Sequence, residues 1–308
     1  MSVTRPGRLP AAAAGRLLRA CIGMISARDP VTLPVVEDLH IVLEPNLAAP
    51  SALWEVLGRV RLGGALYAAH SVREPGTQGW EASSFPRSAV VRMGEESGRC
   101  WERVLMHRRI GHNAFAAGCT PPRKVSVLST VREPVDQWIA LLCYSARLWP
   151  GVLDPASLTP EKVAGFLRGE SHVAFPWMAP GEWWEQDGWL RRELGERMRF
   201  DLFGTPFERS RGWQIYEGVD ARLLLIRHES LDALPEAVAG FYGVPPAGVL
   251  PTGDIGGSTL DARYRSVRDQ LRLPERLLER VYSAPFARHF YTPEEIRGFR
   301  ERWSEHRA

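Results

Sequence analysis

Apolar residues along the chain fall into short runs separated by segments of helical spacing. Residues 39–44 (LHIVLE) read as a buried strand, and residues 65–72 (ALYAAHSV) as a second. Between them Leu53, Trp54, Val56, Leu57 and Val60 recur at the spacing of one helical face. This strand–loop–helix–strand order opens a parallel α/β sheet. Residues 124–131 (KVSVLSTV) form a third β-prone run, and REPVDQWIALLCYSARLW then reads as a helix with Pro134 in its first turn. Residues 221–231 (ARLLLIRHESL) are a further buried strand ending in a polar turn, with a helix over 234–242 behind it. Helices are also predicted over 101–110, 160–167, 182–198, 274–282 and 293–303. Thr292 followed three residues later by Glu295 has the form of a capping box.

The remaining segments read as connections. Residues 74–98 are rich in Gly, Ser and Pro and predict a long loop or lid, and residues 251–259 a linker. No internal repeat or heptad is evident. Residues 1–37 read as a tail with a short docking helix, and residues 38–308 as one doubly wound α/β domain, a parallel sheet flanked by helices with extra helices at its C-terminal end. Ligands in such sheets sit at the carboxyl ends of the strands.

Composition narrows the function classes. The chain has 308 residues, 44% hydrophobic and 24% charged, which are ordinary globular values. It has no run of 18 apolar residues, so no transmembrane segment is expected. A net charge of +3 is too weak to argue for a nucleic-acid partner. Cys21, Cys100, Cys119 and Cys143 show neither a disulfide framework nor paired metal spacing, so no metal and a reducing, cytoplasmic location are expected. The Arg-rich start, with Arg19 inside its apolar stretch, does not fit a signal peptide. Of the 39 basic residues only Lys124 and Lys162 are lysine. Arg is the planar donor suited to phosphate and sulfate, although a GC-rich genome also favours it.

Four strand ends hold the candidate chemistry. After the first, EPNLAAPSALW supplies Asn46 and Ser51 as neutral donors but neither Gly nor Lys; by itself this is an ordinary strand–helix turn. The second ends at His70, a possible general base or a structural histidine. The third places Arg132 before a helix, where it can meet a phosphate or pair with Glu133 or Asp136. In the fourth, spacing favours a local pair between Arg227 and Glu229. Trp177, Trp183, Trp184 and Trp189 suit either core packing or a stacking platform.

The order of these segments resembles the sulfotransferases. STVREPVDQWIALL is similar to their VRDP-type motif, and ARLLLIRHESL to the strand that runs into an R-x-E-x-L turn. The C-terminal half, from WLRRELGERMRFDLFGTPFERSRGWQIYE to YRSVRDQLRLPERLLERVYSAPFARHFYTPEEIRGFRERW, resembles the bacterial branch assigned to capsular polysaccharide synthesis. The resemblance spans about residues 39–303. It implies a P-loop-like fold and a sulfuryl donor, 3′-phosphoadenosine 5′-phosphosulfate, with a glycan or secondary-metabolite hydroxyl as acceptor. It implies that Arg132 meets the donor 3′-phosphate, that Asn46, Ser51 and Arg227 lie in the donor site, and that His70 is the base.

The match is uneven. Asn46 stands where the family has Lys, Ala48 where it has Gly, Ala49 and Pro50 where it has hydroxyl residues, and Ala140 where it has Ser. A charge-assisted hydrogen bond contributes roughly 1.5–3 kcal/mol, so losing the Lys and a hydroxyl costs about a hundredfold or more in donor binding or rate. Arg73, Arg92, Arg108 or Arg109 could replace that charge. The same departures suit a sulfotransferase-like binding protein without activity, or another enzyme class on the same fold. Nucleoside triphosphate hydrolysis ranks last among these, because G-x-x-x-x-G-K-[ST] is absent.

Overall fold

The computed structural model describes residues 39–43, 65–69, 125–148, 158–170, 187–219, 221–244 and 262–305. Five strands form one mixed sheet in the order β2-β1-β3-β5-β4. They are β1 (Leu39–Leu43), β2 (Ala65–Ala69), β3 (Val125–Val131), β4 (Trp213–Glu217) and β5 (Ala221–Arg227). β1, β2, β3 and β5 run parallel, with Leu43 opposite both Ala69 and Ser129, and Val131 opposite Arg227. β4 is antiparallel to β5 at the edge. The expectation of a wholly parallel sheet is therefore corrected. The Trp213–Glu217 run, which the hydrophobic pattern left unassigned, turns straight back into β5 through Gly218 and Ala221, whose N–H and carbonyl are 2.8 Å apart.

Helices α1 (Pro134–Leu148), α2 (Pro160–Leu167) and α3 (Asp187–Leu190), the last continuing as π-helix over Arg191–Arg197, lie in the middle of the chain. The last of these was expected from residue 182; residues 182–186 lie outside the described set. β5 ends at Arg227 and passes into the expected polar turn: His228–Ala233 closes as a 3-10 helix leading into α4 (Leu234–Tyr242). The C-terminal part holds α5 (Ala262–Gln270), α6 (Glu275–Ser283), α7 (Pro285–Phe290) and α8 (Pro293–Trp303). The expected capping box is present: Thr292 Oγ1 accepts from Glu295 N at 3.2 Å, and Glu295 Oε2 accepts from Thr292 N at 2.8 Å.

The apolar run of β5 is uninterrupted because both faces of the strand are covered. Leu223 and Leu225 join Val127 and Val131 in a core with Val135 and Ile139 of α1, Phe166 of α2, and Val267, Val281 and Phe290 of the C-terminal helices. Leu224 and Ile226 point the other way, into a second core with Leu128, Trp213, Val238 and Phe241. This alternation is the strand's two-residue period made visible. A short ladder fastens the end of α8: Leu273 N donates to the Trp303 carbonyl at 2.7 Å, and Glu305 N to the Leu273 carbonyl at 3.3 Å. Among the described residues no helix is long and apolar enough to cross a membrane.

Candidate functional site at the carboxyl edge of the sheet

From β1 the chain passes to β2 on one side, then to β3 on the other. The gap between the carboxyl ends of β1 and β3 is thus the topological switch point, where open α/β sheets bind ligands. β3 contributes Arg132 and Glu133 there, and its neighbour β5 contributes Arg227 and the turn His228–Ala233. Asn46, Ser51 and His70 lie outside the described residues, as do Ala48, Pro50 and the four arginines proposed to replace the loop lysine.

Asp136 and Glu133 divide the two roles that spacing left open. Arg132 is the residue that pairs with Asp136: its Nε donates to Asp136 Oδ2 at 2.6 Å, and both side chains are buried. Arg132 lies just before α1, and its side chain reaches Asp136 in the first turn of that helix. Glu133 instead turns down the helix as its N-cap. Its Oε1 accepts from Val135 N at 2.8 Å and its Oε2 from Asp136 N at 2.8 Å. Two otherwise orphan amides of the first turn are satisfied in this way.

The C-terminal helices close over this edge through three tyrosines. The Tyr264 hydroxyl of α5 donates to Asp136 Oδ1 at 2.7 Å and accepts from Arg132 Nη2. The Tyr282 hydroxyl of α6 donates to Glu133 Oε1 at 2.5 Å. Tyr291, between α7 and α8, donates to Glu229 Oε2 at 3.1 Å, and Glu229 Oε1 accepts from Glu133 N at 2.8 Å. Arg268, one turn beyond Tyr264, brings Nε to 3.2 Å from Asp136 Oδ1, an ion-pair distance without the alignment of a hydrogen bond.

The expected local pair between Arg227 and Glu229 does not form. Arg227 Nη1 reaches both oxygens of Glu295, at 2.8 and 2.9 Å, and the Phe290 carbonyl at 3.1 Å; Nη2 reaches Ser230 Oγ at 3.2 Å. The strand alternation decides this, since Arg227 follows Leu223 and Leu225 onto the face that the C-terminal helices cover. Ala140, at the position where the resemblance calls for Ser, is buried in that same apolar core. Trp189 packs against it as well, while Trp177, Trp183 and Trp184 lie outside the described residues.

Burial and neighbouring charges set the protonation of the cluster. Desolvation opposes ionisation of Asp136, but Arg132, Arg268 and the Tyr264 hydrogen bond overcome it and hold the carboxyl below its usual range. Burial, helped by Asp136 and countered by the cap bonds, pushes Glu133 up to about 7. Glu229 is also raised by desolvation; the residue as a whole is exposed, but its carboxyl is held by Glu133 N and the Tyr291 hydroxyl. His228 is driven down to about 3 by burial and then by Arg132, so it is neutral at physiological pH. His228, Tyr264, Arg268, Tyr282 and Tyr291 escaped the sequence reading. The only local signal was the four-residue spacing of Tyr264 and Arg268, and nothing in it says which strand that helix faces.

A carboxyl raised in the folded state stabilises the fold while protonated and loses that contribution as pH rises. For Glu133 the contribution is full below about 4.5 and is lost on passing through about 7. The stability of the native chain relative to Glu133→Gln is therefore expected to fall by about 3 kcal/mol between pH 4.5 and 8. Urea denaturation of both proteins across that range measures the difference. Comparing the two proteins removes the opposite contributions of Asp136 and His228, whose depressed values favour the fold at higher pH.

Among the described residues no group of three His, Cys, Asp or Glu side chains could hold a metal ion. Among the described residues, Arg132 and Arg268 both stand against Asp136 at this edge, and Arg227 pairs with Glu295. In comparisons with protein-family models, with curated proteins and with solved structures, nothing matches this chain.

Proposed function

We propose that this chain is a sulfotransferase-like protein of P-loop-like fold. It takes 3′-phosphoadenosine 5′-phosphosulfate at the carboxyl edge of its parallel strands and passes the sulfuryl group to a hydroxyl of a glycan or secondary metabolite. The observation that carries this reading is Arg132, a cation at the end of β3 beside the switch point between β1 and β3. The resemblance of STVREPVDQWIALL and of the C-terminal half supplies the identity of the donor. In such a transfer the acceptor oxygen bonds to sulfur as the bond from sulfur to the 5′-phosphate breaks. The hydroxyl proton passes to a base, for which His70 is the candidate. Catalysis of this type is positional and electrostatic, as in phosphoryl transfer.

A second reading is favoured by two observations: Asp136 and Tyr264 already engage Arg132, and the run EPNLAAPSALW after β1 holds no lysine. On that reading the chain is a catalytically inactive binding protein on the sulfotransferase fold.

Calorimetric titration with 3′-phosphoadenosine 5′-phosphate separates the two. The enzyme reading expects micromolar or tighter binding, weakened about tenfold or more in Arg132→Ala, as loss of one charge-assisted contact implies. Absence of binding in the native chain would remove it.

A further inference from the structure

We infer that the Asp136 carboxylate is a resident anion seated in a built receptacle for a sulfate or phosphate group, and that it must vacate this seat before an external anion can enter. This rests on the reading above only for the identity of the nucleotide; the receptacle itself is argued from the side chains.

Donors converge on Asp136 from two elements besides its own helix. Arg132, at the end of β3, approaches Oδ2 through Nε and Nη2, both at 2.6 Å. Tyr264, on α5, donates to Oδ1 at 2.7 Å, and Arg268 of the same helix stands 3.2 Å from that oxygen. A planar guanidinium accepts a carboxylate or a tetrahedral oxyanion in the same way, through N–H groups fixed in direction. Two arginines exceed the single charge of Asp136. Glu133 and Glu229 do not spend that surplus by hydrogen bonding, because they are held by Val135 N, Asp136 N and Tyr282, and by Glu133 N and Tyr291.

Exposure is uneven across the seat. Arg132 and Asp136 side chains are only 8% and 7% exposed, whereas that of Arg268 is 40% exposed. On this proposal an external anion enters by way of Arg268, the most exposed of the three groups. It can then take the Arg132 fork as Asp136 rotates away, with Tyr264 following either partner. Asp136 thereby acts as an internal competitor that keeps the buried Arg132 satisfied when no ligand is bound. A buried charge without a partner carries a large desolvation penalty, which is the physical reason such a stand-in is needed.

The test uses the full chain with Asp136→Asn, close in shape, and Asp136→Ser, which empties the seat. Inorganic sulfate is the first probe, with sodium chloride at matched ionic strength as control. Sulfate is expected to raise the melting temperature of Asp136→Ser more than that of the native chain, and to bind it about tenfold or more tightly. Arg268→Gln in the Asp136→Ser background should abolish that gain. Equal responses of native and variant chains to sulfate, or an Asp136→Ser chain that folds in neither salt, would overturn the inference. 3′-Phosphoadenosine 5′-phosphate is the second probe. Rescue by sulfate with no nucleotide binding keeps the receptacle and removes the nucleotide. Tight nucleotide binding that is identical with and without Asp136 keeps the donor reading and removes the competitor role.

Discussion

Glu295→Ala is expected to destabilise the folded chain by about 3 kcal/mol, the loss typical when a buried ion pair is broken from one side. Glu295 does two things at once. Its carboxylate closes the capping box of α8 through Thr292 N, and it takes Arg227 Nη1 on both oxygens. Arg227 is the more deeply placed partner, with 7% of its side chain exposed against 32% for Glu295. Removing the glutamate therefore leaves the guanidinium in the interior with the Phe290 carbonyl and Ser230 Oγ as its hydrogen-bond partners, the Tyr291 ring beside it, and a buried Nε that already has no hydrogen bond. The partial exposure of Glu295 keeps the estimate at the low end. Urea denaturation of Glu295→Ala, Arg227→Ala and the double variant measures the pair. The double variant should lose clearly less than the sum of the single losses, because each single variant strands a charge. A loss under about 1 kcal/mol in Glu295→Ala would show that α8 is held by its apolar contacts alone.

Gly212→Ala should cost about 2–5 kcal/mol, combining a left-handed backbone with overpacking. Gly212 has φ +74°, and a Cβ there would stand 2.0 Å from Ser230 Oγ and 2.3 Å from Ser230 Cβ. The position cannot drift to relieve the overlap, since the Gly212 carbonyl accepts from Arg227 N at 2.8 Å. The turn into β4 is thus pinned to the end of β5, where the site begins. Thermal denaturation of Gly212→Ala alone and in a Ser230→Gly background divides the cost. The steric part should be recovered in the double variant and the backbone part should remain. An equal loss in both backgrounds would show that Ser230 plays no part.

Local chemistry was enough for the elements whose cause is local. The run at β3, Pro134 at the start of α1 and the Thr292–Glu295 box are each decided by neighbours within four residues, and all stand where spacing placed them. Strand β4 was not legible, because WQIYE at an edge needs only one covered face and carries no clear period. The end of β5 was legible only in part. The apolar run continues in register to Arg227, but the 3-10 turn that follows depends on where Ser230 meets Arg227 and Gly212.

The candidate site divides along the same line. That Arg132 ends a strand and starts a helix follows from the sequence, as does the presence of carboxylates at Glu133 and Asp136 within one turn of it. Which carboxylate pairs and which caps was decided at the start of α1, where Glu133 is held on the Val135 and Asp136 amides and Asp136 takes Arg132. That Arg227 binds Glu295, 68 residues on, and that Tyr264, Tyr282 and Tyr291 cover the carboxyl edge, was decided by tertiary structure alone. Such contacts join residues more than 60 positions apart, and no local propensity or spacing encodes them. The sequence by itself therefore determined the α/β character and the arginine at the third strand end. The packing of the C-terminal helices decided that this arginine is held, and by which carboxylate, because burying a charge demands a partner wherever in the chain that partner is found.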